Sequence, residues 1–559
     1  MTADKDIRAM SIPAFDAVTL EVIWRRMISA ADEAGKTLQR TSFSTLVNES
    51  NDFACVLTDA RGQSLVQNTD SIPSFIGSLP ITVKHFLEAI GVDDMAPGDF
   101  LVCNDPWVAT GHLNDITIAK PIFRAGRLIG FAASTAHAPD IGGKVRSVVA
   151  REVFEEGFHI PAMHLMRRGE PDKTLFKLLR AAVRTPDQTE GDIWAQVTGL
   201  NLMERRLQEL MDEYGLADLE AFAAEIHGRC ETAMRRAIAA VPDGRYEHGF
   251  TTDGVGHPFT FKVAVTIDGD RCVIDYAGTE AQVGRAINCC MTYTFAMSAY
   301  AMKAALLPDL PNNEGIFRTI EVTAPEGTIV NPKRPVAVGG RMATGHYLPP
   351  LIFGALAKVL PDQVMAAAGS PLWSIIQTGV DAAGRTYANT LFFNGGTGAT
   401  AKVDGQNCFS WPSNISNVPI ELVERNTPLF VGRKALRDGS GPAARRPRPG
   451  DRDHRGERHA GRHHLHGRAP RLPGGGPQRR RVGDAGRSPD RRRAHRRPRR
   501  SRPDQGPDHH PAHPRRRRLR RSRETRRSPD RCRPARRLFG IGEACRDTLR
   551  IQSRPDAAC

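Results

Sequence analysis

Residues 104–143 read NDPWVATGHLNDITIAKPIFRAGRLIGFAASTAHAPDIGG, and this stretch predicts a β-hairpin. The segments DITIAKPIF and LIGFAASTA are apolar and β-branched like strands, and RAGR between them is a tight turn centred on Ala125 and Gly126. Opposed residues in an antiparallel hairpin are equidistant from the turn, so residue 114 is predicted to face residue 137 and residue 112 to face residue 139. The two ends of the stretch therefore meet at the open end of one hairpin.

Two His-x-x-Asp pairs stand at that open end, His112 with Asp115 and His137 with Asp140. Two imidazoles and two carboxylates close together form a mixed nitrogen and oxygen site suited to a divalent metal such as Mn, Zn or Fe. The alternative is a structural role, in which His112 caps a turn, Asp115 ends a strand and His137 is a satisfied buried histidine. Convergence of two pairs through one hairpin favours the metal or catalytic site.

Neighbouring residues extend this candidate site. Asn104 and Asp105 lie in the preceding loop, where they either support the metal ligands and contact a substrate or form an Asx turn ahead of Pro106. Gly142 and Gly143 follow the second pair and would let the backbone approach the site closely.

The rest of the first 440 residues mixes helices with hairpins. Apolar residues spaced three and four apart predict an amphipathic helix over 16–39, and residues 51–67 predict a hairpin around DARG. Residues 151–212 are predicted to be largely helical, short strands follow from about 241, and another helix is predicted over 347–369. This mixture predicts an α+β fold of hairpins and helices in one or two intertwined domains, rather than a regular βαβ alternation.

The C-terminal tail differs in kind from the rest. Residues 441–559 contain 37 Arg, no Lys and 12 acidic residues, a net charge of +25, which leaves −9 for the preceding residues out of the whole-chain +16. With no Trp or Tyr and a single Phe, the Arg-rich tail cannot bury enough apolar surface to offset chain entropy and is predicted to be disordered. The missing Lys and aromatic residues favour a frameshift in a GC-rich gene over a nucleic-acid-binding arm, so nucleic acid is not expected as a partner.

Composition and motifs exclude several classes of protein. No charged start followed by an apolar run occurs, and no stretch reaches the roughly 18 apolar residues of a membrane helix, so we expect a cytoplasmic protein without a membrane partner. The ten Cys are scattered, as structural cysteines of a reducing compartment are. AGKT at 34–37 lies in a predicted helix and lacks the earlier glycine of a phosphate-binding loop, so no nucleotide site is predicted.

Several ordered blocks of sequence resemble the hydantoinase B/oxoprolinase family. They include RTSFSTLVNESNDFACVLTDARGQ, NDPWVATGHLNDITIAKPIF, AHAPDIGG, REVFEEGFHIP, DYAGTEAQVGRAIN and PNNEGIFRTIEVTAPEGTIVNP. The resemblance covers about residues 16–438. It implies a hydantoinase B/oxoprolinase-like domain over 16–440 that is incomplete at its C-terminal end. We expect an N-terminal leader over 1–15 before this domain and the Arg-rich tail over 441–559 after it.

The resemblance also implies a function. It implies the B-type subunit of a cyclic amide hydrolase that opens a hydantoin or 5-oxoproline ring, with ATP bound by a separate hydantoinase A-type subunit. A component of an ATP-dependent ketone carboxylase is the alternative within the family, and a non-catalytic protein with a nucleic-acid-binding tail is the alternative outside it. The implied metal ligands are His112, Asp115 and His137, with Asp140 as a fourth ligand or, like Asp105, a neighbouring catalytic group.

Overall fold

The structure is a computed structural model that describes residues 15–144, 148–368 and 372–435, together with the backbone of Leu549–Ser553. Elements of the first half of the chain are, in order, α1 (Ala17–Thr41), α2 (Thr45–Asn48), β1 (Phe53–Asp59), β2 (Ser64–Gln67), α3 (Pro73–Ala89), β3 (Phe100–Cys103), β4 (Asp115–Arg124), β5 (Arg127–His137), β6 (Met163–Arg167), β7 (Glu170–Pro171), α4 (Lys173–Ala182), α5 (Pro186–Glu213) and α6 (Glu220–Ala239). Single 3₁₀ turns occupy Val92–Asp94 and Val153–Glu155.

The second half continues with shorter elements. They are β8 (Gly244–Thr252), β9 (Phe259–Asp268), β10 (Arg271–Asp275), α7 (Met291–Leu306), α8 (Glu314–Phe317), β11 (Ile320–Thr323), α9 (Met342–Gly345), α10 (Leu348–Leu356), β12 (Trp373–Val380), β13 (Thr386–Phe393), α11 (Ile420–Asn426), β14 (Leu429–Lys434) and β15 (Leu549–Ser553). The α+β class expected from the sequence is confirmed. Among the described helices, none is both long and apolar enough to cross a membrane.

A seven-stranded sheet forms the centre of the fold, in the order β2-β1-β5-β4-β3-β6-β7, with antiparallel pairing throughout. Alternate residues of β1 belong to different cores. Cys55 and Leu57 lie with α1 and α5 in one core, and Ala54 and Val56 lie with α3 in the other. Because both faces are covered, the inner strands read as continuous apolar runs instead of alternating.

The β4–β5 hairpin lies in the middle of this sheet and carries a register shift. Its turn is centred as predicted, because both Ala125 (φ 48°) and Gly126 (φ 78°) adopt the positive φ of a type I′ turn. Phe123 faces Leu128, but Ile122 faces Gly130, so one extra residue is inserted on β5. The predicted facing of residues 114 and 137 is therefore wrong by one residue, and Asp115 faces His137 directly.

A second sheet has the order β11-β10-β9-β8, with β10 and β11 parallel and the other pairs antiparallel. Helix α10 packs on β8 and β9 and also contacts α7. Helix α7 in turn packs against α3, which covers one face of the seven-stranded sheet. The strands β12 and β13 form a separate antiparallel pair.

Two predicted helices are shorter in the structure. Within 151–212 the helices begin only at Lys173, because β6 and β7 extend the central sheet through a turn at Arg168 and Gly169, both with positive φ. The helix predicted over 347–369 ends at Leu356, and turns lead into Pro361, which cannot continue a helix.

Most of residues 441–559 lie outside the described residues, and so does the leader except for Phe15. The exception in the tail is β15, whose backbone pairs antiparallel with β14. These five residues read LRIQS. The disorder expected for the tail stays a prediction.

Candidate metal centre

The hairpin brings His112, Asp115 and His137 together at its open end. Asp115 is the first residue of β4 and His137 the last of β5, while His112 lies in the loop before β4. His112 Nε2 and His137 Nδ1 each lie 2.7 Å from the same oxygen, Asp115 Oδ1. All three side chains are at most 2% exposed. In the described chain they form the cluster whose ligand atoms fall within 4.8 Å of one another.

The second oxygen of Asp115, Oδ2, is bound by two other side chains. Thr110 Oγ1 donates to Asp115 Oδ2, and Arg341 Nη2 approaches the same atom at 2.5 Å. Burial alone would raise the pKa of Asp115, but the charges of His112 and Arg341 and the hydrogen bonds of both imidazoles hold it well below its usual value. The carboxylate is therefore ionised, with Oδ1 turned toward the imidazoles.

The backbone fixes the orientation of the His112 ring. Its Nδ1 lies 3.0 Å from the carbonyl oxygen of Gly339, which can only accept, so Nδ1 carries a proton. Nε2 faces Asp115 Oδ1 and would coordinate a metal once it gives up its own proton. Two imidazole nitrogens and one carboxylate oxygen, from two strand ends and the loop before β4, fit a divalent metal such as Zn, Mn or Fe.

The cluster forms one wall of a cavity of about 30 Å³. Polar residues that share this cavity include Asp52, Ser74, Tyr293, Arg341, His346 and Ser413. Apolar residues that close it include Ile72, Phe75, Leu372, Phe392 and Ile415. A space of this size holds about one or two water molecules or an ion with a water.

Asp105 does not belong to this cluster. Its two carboxylate oxygens are both contacted by Arg334 Nη2, its Oδ2 lies 3.3 Å from His159 Nε2, and its Oδ1 accepts from the backbone N–H of Trp107 at 3.0 Å. The Arg334 guanidinium lies 4.3 Å from the centre of the Trp107 ring. Burial raises the pKa of Asp105, but His159, Arg334 and the Trp107 N–H together lower it below its usual value.

Asp140 is also placed away from the cluster. Its carboxylate accepts from Gly142 N–H at 3.0 Å and from Arg184, through both the backbone N–H and Nη1. These contacts tie the loop after β5 to the segment before α5. The four-ligand arrangement is therefore not formed, because Arg184 occupies the carboxylate that the sequence placed at the metal.

Other residues singled out in the sequence have structural contacts. Asn104 is buried and bridges three backbone groups, those of Leu113, Phe158 and Ile160. Gly142 and Gly143 do approach backbone closely, but that backbone is Ala182 and Glu156 rather than the metal cluster.

Comparison with known proteins identifies the family. Residues 16–445 match the profile of the family described as hydantoinase B/oxoprolinase. This chain belongs to the hydantoinase B/oxoprolinase family. The resemblance found in the sequence blocks is thereby confirmed.

Named relatives of this hydantoinase B/oxoprolinase chain support the assignment. The putative B-type component of a D-/L-hydantoinase from a Pseudomonas species is 31% identical over 448 residues, which cover 76% of this chain and 75% of the relative. The crystal structure of the ATP-dependent caprolactamase from Pseudomonas jessenii has a TM-score of 0.71 at 27% identity, covering 76% and 75% of the two chains. Nucleotide-free acetone carboxylase shares the fold, with a TM-score of 0.69 at 20% identity over 75% of this chain and 59% of that one.

Sequence reasoning about this family member missed residues that reach the cluster from elsewhere. Asp52 comes from the segment before β1, which pairs with β5, and its carbonyl oxygen accepts from the His137 backbone N–H at 3.0 Å. Arg341 and Gly339 come from a turn more than 200 residues after His112. A prediction that β1 pairs with β5 would have placed Asp52 beside His137. No local spacing in the sequence indicates that the turn with Gly339 and Arg341 reaches the cluster.

Proposed function

We propose that this chain is the B-type subunit of an ATP-dependent hydrolase of cyclic amides, opening a hydantoin or 5-oxoproline-like ring together with an ATP-binding A-type subunit. The buried cluster of His112, Asp115 and His137 carries the proposal, because it offers a metal-binding set that lines a small cavity. Relatives named as the B-type component of a hydantoinase and the beta component of a caprolactamase support the substrate class, since caprolactam is a cyclic amide.

The chemistry explains the need for ATP. An amide resists attack by water, and a phosphoryl group placed on its oxygen makes the carbonyl carbon more electrophilic. Addition of water at that carbon then expels the ring nitrogen, which takes up a proton, and leaves an acyl phosphate that a second water hydrolyses to the carboxylate and inorganic phosphate. We assign phosphorylation to the partner, because the AGKT segment of this chain lies within α1 and forms no phosphate-binding loop.

The residues of this chain would prepare the site for that step. His112 Nε2, His137 Nδ1 and Asp115 Oδ1 would hold a divalent metal, which supplies Lewis-acid chemistry and lowers the pKa of a coordinated water. Gly339 keeps the His112 ring in one tautomer, and Thr110 and Arg341 keep Asp115 ionised and correctly turned. The apolar side of the cavity would limit the access of bulk water.

The size of the cavity adds a requirement. About 30 Å³ does not accommodate a five-membered ring. Leu372 immediately before β12, Phe392 on β13 and Ile415 in the segment before α11 are among its apolar lining residues. A cyclic amide therefore needs displacement of lining side chains to enter.

The test is reconstitution of the full chain with a purified hydantoinase A-type subunit. Ring opening and ADP release are measured with hydantoin, 5-oxoproline and caprolactam, and acetone with bicarbonate is assayed in parallel. We expect turnover of a cyclic amide that requires both proteins and falls to background with His137→Ala. ATP hydrolysis by this chain alone, or turnover of the ketone only, contradicts the proposal.

A further inference from the structure

A single turn, Val338–Arg341, reaches the metal centre at two points. The carbonyl oxygen of Gly339 accepts from His112 Nδ1, and the Arg341 guanidinium contacts Asp115 Oδ2. The turn is closed by its own hydrogen bond, from Arg341 N–H to the Val338 carbonyl at 2.9 Å. Any displacement of this turn therefore changes the surroundings of two candidate ligands together.

One buried carboxylate, that of Glu156, holds the turn in place. Glu156 Oε1 accepts from Gly339 N–H at 2.6 Å and from Val338 N–H at 3.0 Å, and Oε2 lies 3.1 Å from the same Val338 nitrogen. Glu156 is only 4% exposed, and burial raises its pKa to about 7 although the two N–H groups lower it.

Glu156 lies one step behind the cluster. Its carboxylate contacts the backbone of Val338 and Gly339, and that backbone contacts His112, so a continuous chain of hydrogen bonds runs from Glu156 to a candidate ligand. Groups that orient a metal-binding histidine through its other ring nitrogen raise metal affinity, and their removal typically costs about 10–100-fold. A group whose only role is stability lacks such a path.

We infer that Glu156 is a positioning residue of the metal centre, which sets the His112 ring and the Asp115 carboxylate by fixing the turn Val338–Arg341. This inference rests on the proposed metal function of His112, Asp115 and His137. Glu156 itself touches neither the ligands nor the cavity, as far as the described contacts extend.

Asp192 provides a matched control. It is likewise a buried carboxylate that accepts two successive backbone N–H groups, those of Phe43 at 2.7 Å and Ser44 at 3.1 Å. Burial raises its pKa as it does that of Glu156. Its hydrogen bonds join the start of α2 to α5 and do not involve Val338–Arg341.

The experiment compares Glu156→Ala, Glu156→Gln and Asp192→Ala with the wild-type full chain. Zn²⁺ affinity is measured by competition with a chromophoric chelator, the visible spectrum is recorded with Co²⁺, and stability is measured by urea unfolding without metal. We expect Glu156→Ala to lose about 10–100-fold in affinity and to shift the Co²⁺ spectrum. Glu156→Gln keeps an acceptor oxygen and should retain most of the affinity. Asp192→Ala should lose stability only.

The outcomes separate the inference from the function on which it rests. If the wild type binds no metal, both the proposed metal function and the inference fail. If the wild type binds Zn²⁺ and Glu156→Ala binds it equally well with an unchanged Co²⁺ spectrum, the inference alone fails. An equal loss of affinity in Asp192→Ala also overturns it, because the effect would then follow from stability.

Discussion

The carboxylates of Asp115 and Asp105 have similar partners but differ in their suitability as metal ligands. Each meets an arginine and at least one histidine, and each has a pKa below its usual value in spite of burial. Arg334 contacts both oxygens of Asp105, which leaves that carboxylate saturated. At Asp115 the partners divide, with Arg341 and Thr110 on one oxygen and two imidazoles on the other.

The two ion pairs also differ in their exposure to solvent. The Asp115 side chain and its Arg341 partner are 0% and 5% exposed, whereas Arg334 beside Asp105 is 46% exposed. A depressed carboxylate pKa therefore does not by itself mark a metal site. What distinguishes Asp115 is that one of its oxygens faces two imidazole nitrogens in a buried space, so that the three atoms are close enough to share one ion.

The largest expected difference between the two carboxylates is in metal content. Asp115→Asn should fail to bind the proposed metal, because a neutral amide is a poor ligand and the buried Arg341 would oppose the ion. Asp105→Asn should retain it. Elemental analysis of the purified full-length variants after incubation with Zn²⁺ measures this.

His137→Ala serves as a second variant, since it removes a ligand without removing the partner of Arg341. It should lose metal as Asp115→Asn does. Wild-type metal content in both ligand variants, or equal loss in Asp105→Asn, would refute the distinction between the two carboxylates.

The next largest difference is expected in stability, from the two arginines. Removing one partner of a buried ion pair typically costs about 3–5 kcal/mol, whereas an exposed pair contributes about 0–1 kcal/mol. Arg341→Met should therefore lower the unfolding free energy of the metal-free protein by about 3–5 kcal/mol, and Arg334→Met by about 1 kcal/mol or less. Urea unfolding of both variants measures the contrast, and equal losses would contradict it.

The part of this site formed by residues near one another in the chain could be predicted from the sequence. The part contributed by distant residues could not. Hydrophobic patterning and the RAGR turn predicted that the hairpin would bring His112, Asp115 and His137 to one end, and these three residues do meet. The bulge on β5 was not predictable, because apolar strands covered on both faces lack the alternation that would fix their register. Asp140 was misplaced because its spacing repeats that of Asp115, while its partner Arg184 lies 44 residues away.

The α+β class was predictable for a similar reason, since helices α1 and α5 and the β1–β2 hairpin follow from local periodicity and turn residues. Strand order and the turn at Val338–Arg341 depend on contacts between segments far apart in the chain. Those contacts are decided by packing, and a single sequence gives no direct signal of them.

Asp140 is a third carboxylate bound by an arginine, and we expect its substitution to have an intermediate effect on stability. Asp140→Asn should lower the unfolding free energy by about 1.5–3 kcal/mol, because charge-assisted hydrogen bonds to Arg184 and to Gly142 are weakened. Metal content should not change. Urea unfolding and elemental analysis of one preparation test both parts, and loss of metal at wild-type stability would restore Asp140 as a ligand.

The smallest expected effect concerns the pH dependence of Asp105. Its folded-state pKa is below the ordinary value of 3.8, so the unfolded chain binds more protons around and below that pH. The stability that Asp105 contributes is therefore fully present above about pH 5 and is lost as the pH falls through 3.8 toward the lower folded value.

Because Arg334 is half exposed and solvent screens the pair, we expect that contribution to be only about 1 kcal/mol. The unfolding free energy of the wild type should exceed that of Asp105→Asn by this amount at about pH 6, and the difference should shrink by about pH 3. Urea unfolding at both pH values measures it, with Asp70→Asn as a control because Asp70 lies in an exposed pair with Lys36 at 3.5 Å. A difference that grows as the pH falls would mean that the ionised Asp105 side chain destabilises the folded protein. The carboxylate would then not be stabilised by its contacts with Arg334.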